Sequence, residues 1–259
     1  MDAFAPASVT AVFAPAASES GSRGASVALE DGVTVSVDAA AETTVAVDGE
    51  PAAFEPVSRV LDRLGVTASV DVRPEVPLGA GFGASGAATL ATALAANERF
   101  DLGRSREQLL DDSHEAEVAA GTGLGDVFVQ EAGGLVYNVG DGRQRVATDE
   151  PVEYASYGGL STADALADEE LMARVRTEGG AVLDALPSSP TPRGVIERSW
   201  PFARALDLPT ERVVDDVARV EDAGGTATMA MLGETVVGVG AEGVLPNRTR
   251  ISTAGARLL

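Results

Sequence analysis

Cysteine is absent from this 259-residue chain, and so is lysine: all 19 basic residues are arginine. Without cysteine there is no disulfide framework, no thiolate zinc site and no cysteine nucleophile. A single histidine, His114, excludes a metal site built from several imidazoles of one chain. The opening residues, Met1-Asp2-Ala3-Phe4, lack the basic start and apolar run of a signal peptide, and no apolar run reaches the length of a membrane span. The expectation is a cytoplasmic protein with no membrane partner.

Acid dominates what is present, with a formal net charge of −21. Such a balance argues against nucleic acid or an anionic lipid surface as partner. An acidic, lysine-free composition also resembles that of proteins from salt-loving archaea, where a Debye length of about 3 Å or less makes self-repulsion cheap. Hydrophobic residues make up 45% of the chain, enough for one large or two modest domains with real cores.

Period-two alternation predicts strands over 8–13, 25–29, 33–37, 43–47 and 66–72, the second and third separated by Glu30-Asp31-Gly32. This reads as a run of antiparallel strands, with a small, polar loop over 16–24. Helical patterns cover 56–64, closed by Gly65, then 87–97, then a segment ending at Gly121. In that segment Ser105 and Gln108 have the spacing of a capping box. A short helix over 127–130 and a strand over 135–139 follow. The chain turns polar around 140–151, which places a domain boundary there and predicts domains of 1–148 and 149–259. The second half reads as a strand (152–158), a long helix (163–186), two further helices (194–206 and 211–221), then strands 226–232 and 235–240. Gly233-Glu234 is the expected hairpin turn, and the tail, 250–259, is expected to contribute one more strand. The order points to an α+β architecture.

Chemistry concentrates at Val76 to Ala88, where four glycines alternate with small residues ahead of a helix and Ser85 ends the loop. A glycine-rich loop opening a helix presents unpaired N–H groups beside the positive end of the helix dipole, a geometry suited to phosphate. Taken alone, Gly81 to Gly86 also satisfies G-x-G-x-x-G, the fingerprint of dinucleotide-binding oxidoreductases, or serves a plain helix start. The antiparallel strands that precede it disfavour a Rossmann unit. Two further segments carry candidate chemistry. One is the helix with His114, Glu115 and Glu117, running into Gly121-Thr122-Gly123-Leu124-Gly125-Asp126. The other is the turn Gly224-Gly225 with the following strand and Gly233, whose bare backbone is expected to pack against the first loop.

Pro77 to Ala88 resembles the P-x-x-x-G-L-G-S-S-A motif of the GHMP kinases, with Phe82 for Leu, Ala84 for the first Ser and Gly86 for the first Ala. More of the chain carries a narrower likeness. The segments 21–25, 81–87, His114-x-x-Glu117, 122–126 and 231–236 resemble, in the same order, those of the archaeal pantoate kinase family. That resemblance implies a two-domain GHMP kinase fold, with an N-terminal nucleotide-binding domain and a C-terminal ferredoxin-like α/β sandwich. It also implies ATP-dependent phosphorylation of pantoate to 4-phosphopantoate, on the route to coenzyme A. Alternatives are a related kinase for homoserine, shikimate or mevalonate, and a nucleotide-binding regulator that has lost turnover.

Carried onto this chain, the resemblance implies that Ser85 and a helix glutamate bind Mg²⁺, and that Asp126 takes or orients the proton of the attacking hydroxyl. The backbone of Gly79, Ala80, Gly81, Gly83, Ala84, Ser85, Gly86 and Ala87 would cradle ATP. One pattern selects Glu117 and another Glu115. The two point to roughly opposite sides of a helix, about 200° apart, so only one can serve. His114 lies three residues from Glu117 and shares its face, which favours Glu117. Ser22, Arg23, His114 and Thr162 are implied substrate contacts. Relatives carry a basic residue in the strand after Gly133-Gly134, where this chain has Asn138, a further candidate substrate contact whose amide can hydrogen-bond a carboxylate but brings no charge. A homodimer is compatible with the sequence but not required by it.

Overall fold

In the computed structural model, residues 1–15, 22–159 and 162–259 are described, the side chains of 162 and 163 excepted. The candidate Thr162 opens a helix, but its side chain lies outside the described residues, as does Gly21 of the first loop.

The first half is built on β1 (Asp2–Pro15), β2 (Ser22–Ala39), β3 (Thr44–Val47), β4 (Glu50–Pro51), α1 (Glu55–Leu64) and β5 (Ala68–Pro74). It continues with α2 (Ala84–Arg99), α3 (Arg106–Ala120), α4 (Asp126–Ala132), β6 (Leu135–Asn138) and β7 (Gln144–Val146). The second half comprises β8 (Pro151–Gly159), α5 (Thr162–Ala167), α6 (Glu169–Asp184), α7 (Pro192–Ala205) and α8 (Glu211–Asp222). It closes with β9 (Thr226–Met229), β10 (Gly233–Val239), β11 (Asn247–Arg250) and β12 (Arg257–Leu258). One sheet runs β12-β1-β2-β5-β3-β4, with β6 joined to β2 and β7 to β6; the other is a four-stranded antiparallel sheet, β11-β8-β10-β9. No described helix is long and apolar enough to cross a membrane.

The segments 25–29 and 33–37 are one strand, not two. Glu30-Asp31-Gly32 stays within the strand because β1 runs alongside and pairs Pro6 with Gly32, while Glu30 and Asp31 fall in the irregularity between Pro6 and Ser8. The strands are not all antiparallel either, since β3 lies parallel to β5. The helix expected over 163–186 is broken at Asp168, whose carboxylate accepts from Leu171 N at 3.0 Å and caps a new helix. The tail forms β11 in the second sheet and returns β12 to the edge of β1 in the first. The capping box forms as the sequence predicts, with Ser105 and Gln108 exchanging side chain-to-backbone bonds.

Two features of this frame position the site. β1 is irregular, with register shifts between Pro6 and Ser8 and between Thr10 and Val12. There Ser8 N donates to Phe82 O (2.8 Å) and Met231 N donates to Thr10 O (2.9 Å), tying the strand to the glycine loop and to the second half. The second feature is α2, which starts three residues earlier than predicted and is buried almost all round. Its Ala, Leu and Thr composition suits a helix packed against neighbours on every side.

The hairpin between β9 and β10 turns through Ala230 to Leu232, with Leu232 at φ 64°, rather than at Gly233-Glu234. Gly233 is needed elsewhere. A Cβ on it would lie 2.0 Å from Ala80 O, and Thr235 Oγ1 donates to that same carbonyl at 2.7 Å. Gly233 thus packs bare backbone onto the first loop, whereas the turn Gly224-Gly225 does not: Gly225 packs instead against Val220, Val239 and Ala241.

Candidate active site

A cleft of about 430 Å³ opens between the glycine loop, the β1–β2 hairpin, the turn before α4 and the loop after β6. At its head stands the start of α2. Gly83 precedes the helix at φ 58°, no side chain caps the first turn, and no acidic residue lies in it. The first N–H groups of the helix are therefore available to an anion. Gly79, Gly81, Gly83, Ala84 and Ser85 line the cleft. The buried Ala80 and Ala87 do not, and Gly86 instead packs against Gln130 and Val127.

Ser85 Oγ donates to Glu117 Oε1 at 2.9 Å, and Thr89 Oγ1 donates to the same oxygen at 2.7 Å. Thr122 Oγ1 donates to Glu117 Oε2 at 2.9 Å. Glu117 is 3% exposed and met by three hydroxyls and, among the described residues, by no cation. Burial pushes its pKa up, the hydroxyls pull it back, and the charge of Asp126 adds to the rise. Glu115 lies on the far side of α3, exposed and paired with Arg63. The structure therefore brings Ser85 together with Glu117 and keeps Glu115 away.

Asp126 opens α4 and lies beneath the first turn of α2, where Cβ atoms on Gly83 and Gly86 would meet it at 3.2 and 3.4 Å. Its Oδ1 accepts from Ser8 Oγ at 3.2 Å and Thr10 Oγ1 at 3.4 Å. Burial raises its pKa above the ordinary 3.8, and the two hydroxyls oppose the rise. Gln130 Nε2 donates to Gly83 O at 2.7 Å and Ser8 Oγ at 3.3 Å, joining the carboxylate's support to the start of α2.

The remaining candidates surround the open end. Ser22 Oγ donates to Leu124 O at 3.3 Å, and Arg23 forms an ion pair with Asp184 at 2.5 Å. His114 packs its ring against Phe128, 4.9 Å between centroids, and burial followed by the charge of Arg143 lowers its pKa. Asn138 lines the cleft with its amide engaged by Ser22 O and Gly140 N.

Sequence reasoning missed Ser8, Thr10, Gln130 and Arg143. A signal existed for the first three: hydroxyls two apart in an otherwise apolar strand, and a lone amide between Val129 and a glycine pair, are polar groups on faces bound for burial. Arg143 sits in a polar turn and gives no local sign of where it reaches.

A single cleft with a helix start, a buried carboxylate–hydroxyl pair and a second deep carboxylate defines the class: a small-molecule kinase of the GHMP fold. Residues 52–134 match the family model described as the GHMP kinases N terminal domain. The fold is similar to that of a mevalonate kinase from Methanococcus jannaschii, with a TM-score of 0.71 over 100% of this chain and 98% of the other at 12% identity. A structure described as a phosphotransferase related to the CoA biosynthesis pathway matches with a TM-score of 0.85 and 26% identity, covering 99% of this chain and 97% of that one. The pantoate kinase of Thermococcus kodakarensis is 31% identical over 259 aligned residues, 90% of this chain and 85% of its own length. That of Methanocaldococcus jannaschii is 25% identical, covering 90% of each chain. That of Methanospirillum hungatei is 28% identical over 67% of this chain and 66% of its own length. The chain belongs to the pantoate kinase family of the GHMP kinases.

Proposed function

We propose that this protein transfers the γ-phosphoryl group of ATP to the 4-hydroxyl of pantoate, giving 4-phosphopantoate and ADP. The observation that carries the reading is that Ser85 and Asp126 line one cleft at the open end of α2, with Glu117 hydrogen-bonded to Ser85 behind its wall. Phosphoryl transfer asks little covalent chemistry of a protein; it needs positioning and neutralisation of charge on the moving group. The bare first turn of α2 receives the phosphates. Asp126, raised in pKa by its burial, accepts the proton of the acceptor hydroxyl as oxygen attacks phosphorus and ADP departs. Ser8 and Thr10 fix the carboxylate's orientation.

Ser85 and Glu117 fit Mg²⁺. Both offer hard oxygen donors, and Glu117 is a desolvated carboxylate that no cation among the described residues pairs with. Bound there, the metal would neutralise charge on the ATP phosphates. Ser22, Arg23 and His114 on the far wall are the contacts for the acceptor, and Thr162 belongs to the same proposed set.

The test is an ATP-dependent phosphorylation assay with pantoate, homoserine, mevalonate and shikimate, run in molar KCl to screen the net charge of −21. Preferential turnover of pantoate is expected. Preference for another acceptor would overturn the substrate assignment. ATP hydrolysis that no acceptor accelerates would overturn the kinase reading.

A further inference from the structure

We infer that Arg143 is the side chain that makes the acceptor site selective for a carboxylate, an inference that rests on the kinase reading above and names the group that recognises its substrate class. The cation comes from an element that carries no motif. β6 ends at Asn138, whose Oδ1 accepts from Gly140 N at 3.0 Å while its Nδ2 donates to Ser22 O at 3.4 Å. That amide is used in folding the turn. Gly140 and Gly142, at φ 126° and 91°, then swing the chain back towards β7 and lay Arg143 along the cleft.

There the guanidinium carbon stands 3.3 Å from the centroid of the Phe128 ring. Stacking fixes the plane of the guanidinium and leaves its edge N–H groups free to meet both oxygens of a carboxylate. Phe128 also packs against His114, 4.9 Å between centroids, so one aromatic ring contacts both polar groups. Among the described residues no carboxylate forms an ion pair with Arg143; Asp111 acts on it only at longer range.

The other groups at this wall do not supply free positive charge. Arg23 is already paired with Asp184. Burial and the charge of Arg143 both disfavour the protonated form of His114. The same cleft holds Asp126, with Glu117 behind it, on a chain of net charge −21. An anionic acceptor entering that field needs a cation not already neutralised, and Arg143 is placed to be it.

The experiment compares Arg143→Met and Arg143→Lys with the wild type, using pantoate and its neutral carboxamide as acceptors. Arg143 is exposed, so both variants should keep the wild-type melting temperature, measured alongside. Arg143→Met should raise KM for pantoate about 10- to 100-fold, the loss of a charge-assisted contact. Its kcat and its KM for ATP should stay within about twofold. KM for the carboxamide should not move, so the preference for acid over amide collapses. Arg143→Lys should fall between, keeping the charge and losing the fork. An unchanged KM for pantoate, or an equal loss on acid and amide, overturns the inference while the kinase reading stands. Wild-type turnover of some other carboxylic acid, with the same loss in Arg143→Met, supports the inference and overturns pantoate as substrate. Wild-type turnover of neutral alcohols alone overturns both.

Discussion

Replacing Asp126 with asparagine should stabilise the ligand-free protein while stopping its chemistry. The carboxylate accepts from Ser8 at 3.2 Å and Thr10 at 3.4 Å, and an asparagine carbonyl can accept both bonds in the same shape. What changes is the charge. Burial lifts the Asp126 pKa above its ordinary 3.8, so the folded chain holds this proton more tightly than the unfolded chain does. Folding stability therefore falls as pH rises from the ordinary carboxylate value through the raised one, and the full cost is present above the raised value. Removing a poorly compensated buried charge should return about 1–3 kcal/mol. At roughly 2–4 °C per kcal/mol for a chain of this size, the melting temperature rises by several degrees. Calorimetry at pH 7 and at about pH 4 checks the sign, because the gain shrinks where the wild type takes up the proton. Turnover should fall by about 10² to 10⁴, with nucleotide KM nearly unchanged. A variant less stable at pH 7 would make Asp126 a structural anchor. Near-normal turnover would refute its role as proton acceptor.

Other perturbations separate parts of the same machinery. Glu117→Gln should cut turnover by at least about 10²-fold and weaken the dependence on Mg²⁺. Glu115→Gln, exposed and paired with Arg63, should change stability by about 0.5 kcal/mol or less and leave kinetics alone; steady-state assays across a Mg²⁺ titration compare the two. Gly233→Ala drives a methyl group into the carbonyl of Ala80, so KM for ATP should rise and stability fall by about 1–3 kcal/mol or more, read by kinetics and thermal melting. Glu153 accepts from the N–H groups of Gly243, Val244 and Leu245, which together outweigh burial and hold its pKa below the ordinary 4.5. Its contribution is complete above that value and is lost as pH falls through the lowered one. Glu153→Gln should therefore lower stability by about 1–3 kcal/mol at pH 7, and the gap should close in acid, as melts across pH would report.

Local physics made much of the molecule legible in the sequence. Alternation announced β1, β2 and β5, Ser105 with Gln108 announced the start of α3, and the glycine run announced a helix with an uncapped first turn. Helix geometry alone required that Glu115 and Glu117 part company. The face shared with His114 favoured Glu117, but that Glu117 meets Ser85 depends on how α3 rotates against α2. Spacing could not find Ser8 and Thr10, which reach Asp126 across more than a hundred residues through the irregular pairing of β1. The long-range glycine packing shows the division well. A bare backbone at Gly233 was visible as a capacity for close approach, while the turn moved to Ala230–Leu232 because Ala80 occupies the space a side chain would need. Arg143 marks the far limit: a polar turn carries no periodicity, and only the Phe128 ring on another helix gives its charge a place. The chain by itself set which segments form, which groups could bind phosphate and what chemistry was excluded. The tertiary structure decided which side chains meet, since contacts between segments distant in sequence are fixed by strand register and helix rotation rather than by anything within one segment.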